Sequence, residues 1–170
     1  FTNLDEYNAR DRDGDGIIDG RSTDPLVADT DADGLIDGIE VIGWKIRIVD
    51  FGVRQVIVRS DPGVFDTDKD GLSDAREYYE TFTNATDKDT DNDGLEDYRE
   101  AVDGHPWVDN GTTVYYFTNA SAFDTDNDGL EDGEEVVDGA DEYVTHANNA
   151  DTDGDGLNDG GEVLYVPRPW

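Results

Sequence analysis

A twelve-residue frame, D-x-D-x-D-G-[LI]-x-D-x-x-E, returns along this chain and limits what it can fold into. Complete copies run Asp29–Glu40, Asp66–Glu77, Asp89–Glu100, Asp124–Glu135 and Asp151–Glu162. Each carries acids at places one, three, five, nine and twelve. An earlier copy keeps Asp11, Asp13, Asp15, Gly16 and Asp19 but has Ser22 where the others have glutamate. Carboxylates packed this densely repel one another, so a chain of such frames becomes compact only if something neutralises them. The repeated acidic places of the frames account for 29 of the 44 acidic residues, and the net charge is −32.

The spacing points to Ca²⁺, which takes six to eight oxygen ligands in flexible geometry. Acids at places one, three and five wrap around one point, and the glycine at six permits the sharp turn. The seventh residue offers its carbonyl, the ninth acts directly or through water, and the glutamate at twelve chelates with both oxygens. The expected ligands in the first copy are Asp11, Asp13, Asp15, Ile17 and Asp19. In the next two they are Asp29, Asp31, Asp33, Leu35, Asp37 and Glu40, then Asp66, Asp68, Asp70, Leu72, Asp74 and Glu77. The fourth offers Asp89, Asp91, Asp93, Leu95, Asp97 and Glu100, and the fifth Asp124, Asp126, Asp128, Leu130, Asp132 and Glu135. The last offers Asp151, Asp153, Asp155, Leu157, Asp159 and Glu162. Mg²⁺ fits less well because it demands strict octahedral geometry and keeps its water. Zinc fits poorly in a chain with no Cys and only His105 and His146.

About six ions are expected, and they would lower the net charge from −32 to about −20. Apolar residues make up 35% of the 170 and are local, too sparse for one large core. Metal binding should therefore be coupled to folding. The charge argues against nucleic acid, whose phosphates it would repel. No stretch is apolar for the roughly 18 residues a membrane span needs. No secretory leader is visible before Phe1, so the chain reads as processed or as a fragment.

The frames start 18, 37, 23, 35 and 27 residues apart. The alternation suggests loops in pairs, with an insert after each pair, and divides the chain into 1–60, 61–118 and 119–170. In the first insert Trp44, Ile46 and Ile48 alternate with Lys45 and Arg47, the period of a half-buried strand. Asp50-Phe51-Gly52 then supplies a hairpin turn. The second insert repeats the idea around Asn110-Gly111. The third unit stops at Val163–Trp170, read as the first strand of an incomplete hairpin. A lead-in precedes each complete frame: Thr23-Asp24-Pro25, Ser60-Asp61-Pro62, Thr83-Asn84-Ala85, Thr118-Asn119-Ala120 and Thr145-His146-Ala147. Proline there argues against an incoming helix and against an EF-hand. Short helical turns are expected after the loops. The fold class is thus an elongated calcium-stabilised repeat array: irregular loops, short helical turns, intervening β-hairpins and no single large core.

The signature [ST]-D-P-x-x-x-D-T-D-x-D-G-L-x-D-x-x-E, at Thr23–Glu40 and Ser60–Glu77, resembles the thrombospondin type 3 repeat family in its cysteine-free prokaryotic form. That resemblance implies calcium-bound, elongated surface or secreted proteins with adhesive or structural roles. Residues 29–48 also look like the calcium subdomain of binary-toxin translocation components, but no pore-forming or receptor-binding domain follows. Dockerins share the loop type yet have two copies with longer helices.

Three sequons occur, at Asn84, Asn110 and Asn119, and mark candidate glycosylation sites. No catalytic constellation stands out, and His105 and His146 read as surface residues. The expectation is a non-enzymatic structural protein outside the cell or on its surface, a rod or filament subunit that associates head to tail. The alternative is a calcium-dependent adhesive or spacer module of a larger secreted enzyme, adhesin or toxin.

Overall fold

The computed structural model describes residues 23–24, 26–109, 111–136 and 143–165. The first frame, with Asp11, Asp13, Asp15, Ile17 and Asp19, lies outside these, as do Asn110 and residues 166–170. Each described frame is an irregular loop that runs into a short helical turn. Four of these turns are α1 (Asp37–Ile42), α2 (Asp74–Arg76), α3 (Asp132–Val136) and α4 (Asp159–Tyr165). α2 widens into a π-helical turn over Glu77–Thr81, and the fourth frame ends in another over Arg99–Asp103. The physical cause is the same in every described copy. The carbonyl at place eight accepts the N–H of the glutamate at twelve, which closes one turn. Ile36, Ser73, Glu96, Glu131 and Asn158 do this for Glu40, Glu77, Glu100, Glu135 and Glu162.

Two hairpins interrupt the frames. β1 (Trp44–Val49) pairs with β2 (Val53–Val58), and β3 (His105–Asp109) pairs antiparallel with β4 (Thr112–Tyr116), from His105↔Tyr116 to Asp109↔Thr112. β1 alternates as its sequence predicts: Trp44, Ile46 and Ile48 are buried, while Lys45 and Arg47 are exposed. A glycine opens each hairpin with positive φ, Gly43 at 88° and Gly104 at 69°. A Cβ on Gly104 would sit 2.8 Å from the Tyr116 carbonyl oxygen, and one on Gly43 would strike the Val58 carbonyl.

Val163, Leu164 and Tyr165 correct the reading of a C-terminal strand. They form the last turn of α4, because the outgoing helical turn follows the last frame as it follows the others. The histidines also differ from expectation. His105 opens β3 and is fully buried, with Nε2 3.1 Å from Thr118 Oγ1. His146 is half-buried, its ring stacked 4.0 Å from that of Tyr116.

The chain forms two compact units, one containing residues 23–47 and 55–88, the other 48–54 and 89–165 among those described. In the first unit the apolar interior is Leu35, Leu72, Ala75 and Ala85, with Trp44, Ile46 and Val58 from the hairpin. In the second it is Leu95, Leu130 and the lead-in alanines Ala120, Ala122 and Ala147, with Ile48. There the end of β1 meets a lead-in. Val49 N–H donates to the Ser121 carbonyl at 2.8 Å, and Phe123 N–H to the Val49 carbonyl at 2.9 Å.

Candidate metal centres

The five described loops share one internal wiring. The first aspartate accepts the glycine N–H at place six, through one oxygen, at 2.9 to 3.2 Å. The third-place aspartate accepts the N–H at place five. The fifth-place aspartate accepts the N–H of the leucine at seven. These backbone contacts fix the carboxylates around the loop. The central glycines Gly34, Gly71, Gly94, Gly129 and Gly156 have φ from 97° to 110°, as the turn requires.

Oxygens of Asp29, Asp31 and Asp33 lie within 4.8 Å of one another, and so do those of Asp66, Asp68 and Asp70. The same holds for Asp89, Asp91 and Asp93, and for Asp124, Asp126 and Asp128. In the last loop Asp153 and Asp155 are exposed.

The ninth aspartate has a structural role that its spacing does not announce. Both oxygens of Asp37, Asp74, Asp97, Asp132 and Asp159 accept from the threonine at place two, one from its N–H and one from its hydroxyl, at 2.6 to 3.0 Å. That hydroxyl in turn accepts the lead-in N–H of Asp24, Asp61, Asn119 or His146. The threonine is therefore a clasp that joins lead-in, loop and helix start. Its signal is Thr30, Thr67, Thr90, Thr125 and Thr152, at one place in every complete frame.

Four glutamates at place twelve are buried and held from the following lead-in. Ser60 Oγ donates to Glu40 Oε1 at 3.0 Å, Thr83 to Glu77 at 3.0 Å, Thr118 to Glu100 at 2.9 Å and Thr145 to Glu135 at 2.9 Å. A second link runs from place ten to the preceding loop. Ala75 N–H donates to Asp33 Oδ2 at 2.6 Å, Gly160 N–H to Asp128 Oδ2 at 2.7 Å, and Gly133 N–H to the Asp93 carboxylate. Oxygens of Asp93, Glu100 and Asp132, from two successive frames, also lie within 4.8 Å of one another in a buried cluster.

The electrostatics suit a cation. Burial, reinforced by neighbouring carboxylates, pushes Glu100 up to about 10, Glu135 to about 9, and Glu40 and Asp91 to about 8. The second oxygens of Glu40, Glu100 and Glu135 are buried with no hydrogen-bond donor, as are single oxygens of Asp29, Asp31, Asp68, Asp91 and Asp126. Buried acceptors without donors are costly and rare. Here they converge with other carboxylates, so the donor set fits a hard cation that prefers oxygen.

Four stretches match the family model for the bacterial thrombospondin type 3 repeat: residues 66–78, 89–104, 124–141 and 151–165. The chain belongs to that family. Thrombospondin type 3 repeats are structural calcium-binding modules, in keeping with the acid clusters. The frames at Asp11 and Asp29 lie outside the matched stretches. No curated protein and no solved structure matches the chain. Among the described residues, no helix is long and apolar enough to cross a membrane.

Proposed function

We propose that this chain is a non-enzymatic extracellular structural protein, a rod or filament subunit stiffened by Ca²⁺. The observation that carries the reading is the half-satisfied glutamate. One oxygen of Glu40, Glu100 and Glu135 is fixed by the next lead-in, and the other is buried without a donor. An ion at that oxygen would tie each loop to its successor, so calcium takes the place of a hydrophobic core. The cluster Asp93, Glu100 and Asp132 differs in composition from Asp89, Asp91 and Asp93, which supports more ions than one per loop. Loops of the extracellular type bind at about 10⁻⁴–10⁻³ M, which favours a site outside the cell.

Calorimetric titration with Ca²⁺ and Mg²⁺, together with circular dichroism, tests this reading. It predicts that millimolar Ca²⁺ restores structure to chelated protein and that Mg²⁺ does so poorly. A chain with the same structure in chelator would contradict it.

Glycans at Asn84 and Asn119 belong to the same proposal. Both side chains accept from the hydroxyl two residues on, Thr86 at 2.9 Å and Ser121 at 3.1 Å. Asp24 and Asp61 accept a backbone N–H at the same offset, so the turn is a property of the lead-in rather than of the sequon. A mass unchanged by deglycosylation would remove the glycans from the account.

A further inference from the structure

We propose that His105 is a positioning residue for the calcium of the fourth frame: its Nε2–H fixes the hydroxyl of Thr118, which holds one oxygen of Glu100 and leaves the other for the ion. The inference rests on the structural reading above and gives the second hairpin a part in the metal centre beside it.

The direction of the relay follows from counting hydrogens. Thr118 has one hydroxyl hydrogen, and an ionised Glu100 only accepts, so the hydroxyl donates to Glu100 Oε1 at 2.9 Å. His105 Nε2, 3.1 Å from Thr118 Oγ1, must then carry the hydrogen and donate to that oxygen. This tautomer leaves Nδ1 bare, and Nδ1 is buried with no hydrogen-bond donor. Burial, reinforced by the charge of Arg99, pulls His105 down to about 4, in keeping with a neutral ring. A buried nitrogen without a partner is costly, and an apolar side chain would carry no such cost. The ring is accounted for by what its Nε2–H does.

The hairpin holds the ring in place. His105 follows Gly104, pairs with Tyr116 across the strands, and has its ring 5.4 Å from that of Tyr116. Tyr116 is itself stacked on His146 at 4.0 Å, so the ring packs against an aromatic wall. The first hairpin offers a natural contrast. The residue after its opening glycine is Trp44, whose buried Nε1 has no hydrogen-bond partner. Ser60 therefore holds Glu40 without support from that position.

Calcium titration of the full chain by NMR tests this, with the Gly94 N–H reporting the fourth frame and the Gly71 N–H serving as internal control. His105→Leu should weaken binding at the fourth frame at least about threefold, less than the roughly 10- to 100-fold of a direct partner, and leave the Gly71 frame unchanged. His105→Gln, which keeps a donor near the Nε2 position, should recover most of the affinity. In a Thr118→Val background His105→Leu should have no further effect, since the histidine acts only through the hydroxyl. A histidine that served packing alone would weaken both backgrounds alike. Imidazole nitrogen shifts of the calcium-loaded protein should report the Nε2–H tautomer. Unchanged affinity in His105→Leu, an equal loss in the Thr118→Val background, or an Nδ1–H tautomer would overturn the proposal. A wild type that binds Ca²⁺ while His105→Leu changes nothing fails the relay alone; a wild type indifferent to Ca²⁺ fails the structural reading.

Discussion

Thr118 Oγ1 donates to Glu100 Oε1 at 2.9 Å across 18 residues that include a complete hairpin. The hairpin is therefore an insert, and the frames on either side of it are joined through a hydroxyl and a carboxylate. Fixing the outer partner of a metal ligand typically matters about 10- to 100-fold in affinity. Thr118→Val should weaken the fourth frame's calcium binding by about tenfold or more, whereas Thr118→Ser should retain it. Calcium titration of the two variants checks this; equal affinities would show that the hydroxyl is incidental.

The pH dependence of the metal-free chain should run opposite to that of a protein with salt-bridged acids. Glu40, Glu100 and Glu135 lie at about 8, 10 and 9 in the fold, against an ordinary 4.5. The folded state therefore binds more protons than the unfolded one, and stability falls as pH rises from about 4.5 through these values. Circular dichroism without metal should show more residual structure at about pH 5 than at about pH 9. Calcium should stabilise most at the higher pH, where it does not compete with protons.

Much of the site is legible in the sequence because it is local. Places one, three and five, the glycine turn and the β1 alternation all lie within a dozen residues. The rest depends on contacts between frames: Ser60 lies 20 residues from Glu40, and Ala75 lies 42 from Asp33. No periodicity within a frame reports those distances. The burial of His105 escapes the sequence for the same reason, since its partner Thr118 belongs to the next lead-in.

One local feature is also silent in the sequence. Place four adopts left-handed backbone in every described loop, at Ala32, Lys69, Asn92, Asn127 and Gly154. Asparagine and glycine tolerate that region, whereas alanine and lysine are strained there by about 1–2 kcal/mol. Removing the Cβ relieves that strain but frees the unfolded chain, which offsets part of the gain. Ala32→Gly should stabilise the calcium-loaded protein by about 0.5–1 kcal/mol, and Asn92→Ala should destabilise it by a similar amount. Urea midpoints that do not move, or that move in the opposite directions, would refute this account of place four.

Gly133 bears on the joint itself, because a Cβ there would strike the Asp93 carbonyl. Gly133→Ala should destabilise the second unit by about 1–3 kcal/mol, the usual range for overpacking. Gly52→Ala, with open space around its Cβ position, serves as the neutral control. Equal urea midpoints for the two variants would show that the close approach at Gly133 carries no weight.

The central claim is that cations bound between frames do the work of a core. Hydrogen exchange, resolved along the chain with and without chelator, tests it most directly. The account predicts that the N–H groups of Ala75, Gly133 and Gly160, and of Leu35, Leu72, Leu95 and Leu130, are protected in millimolar Ca²⁺ and lose protection when it is removed. Equal protection in both conditions would contradict it.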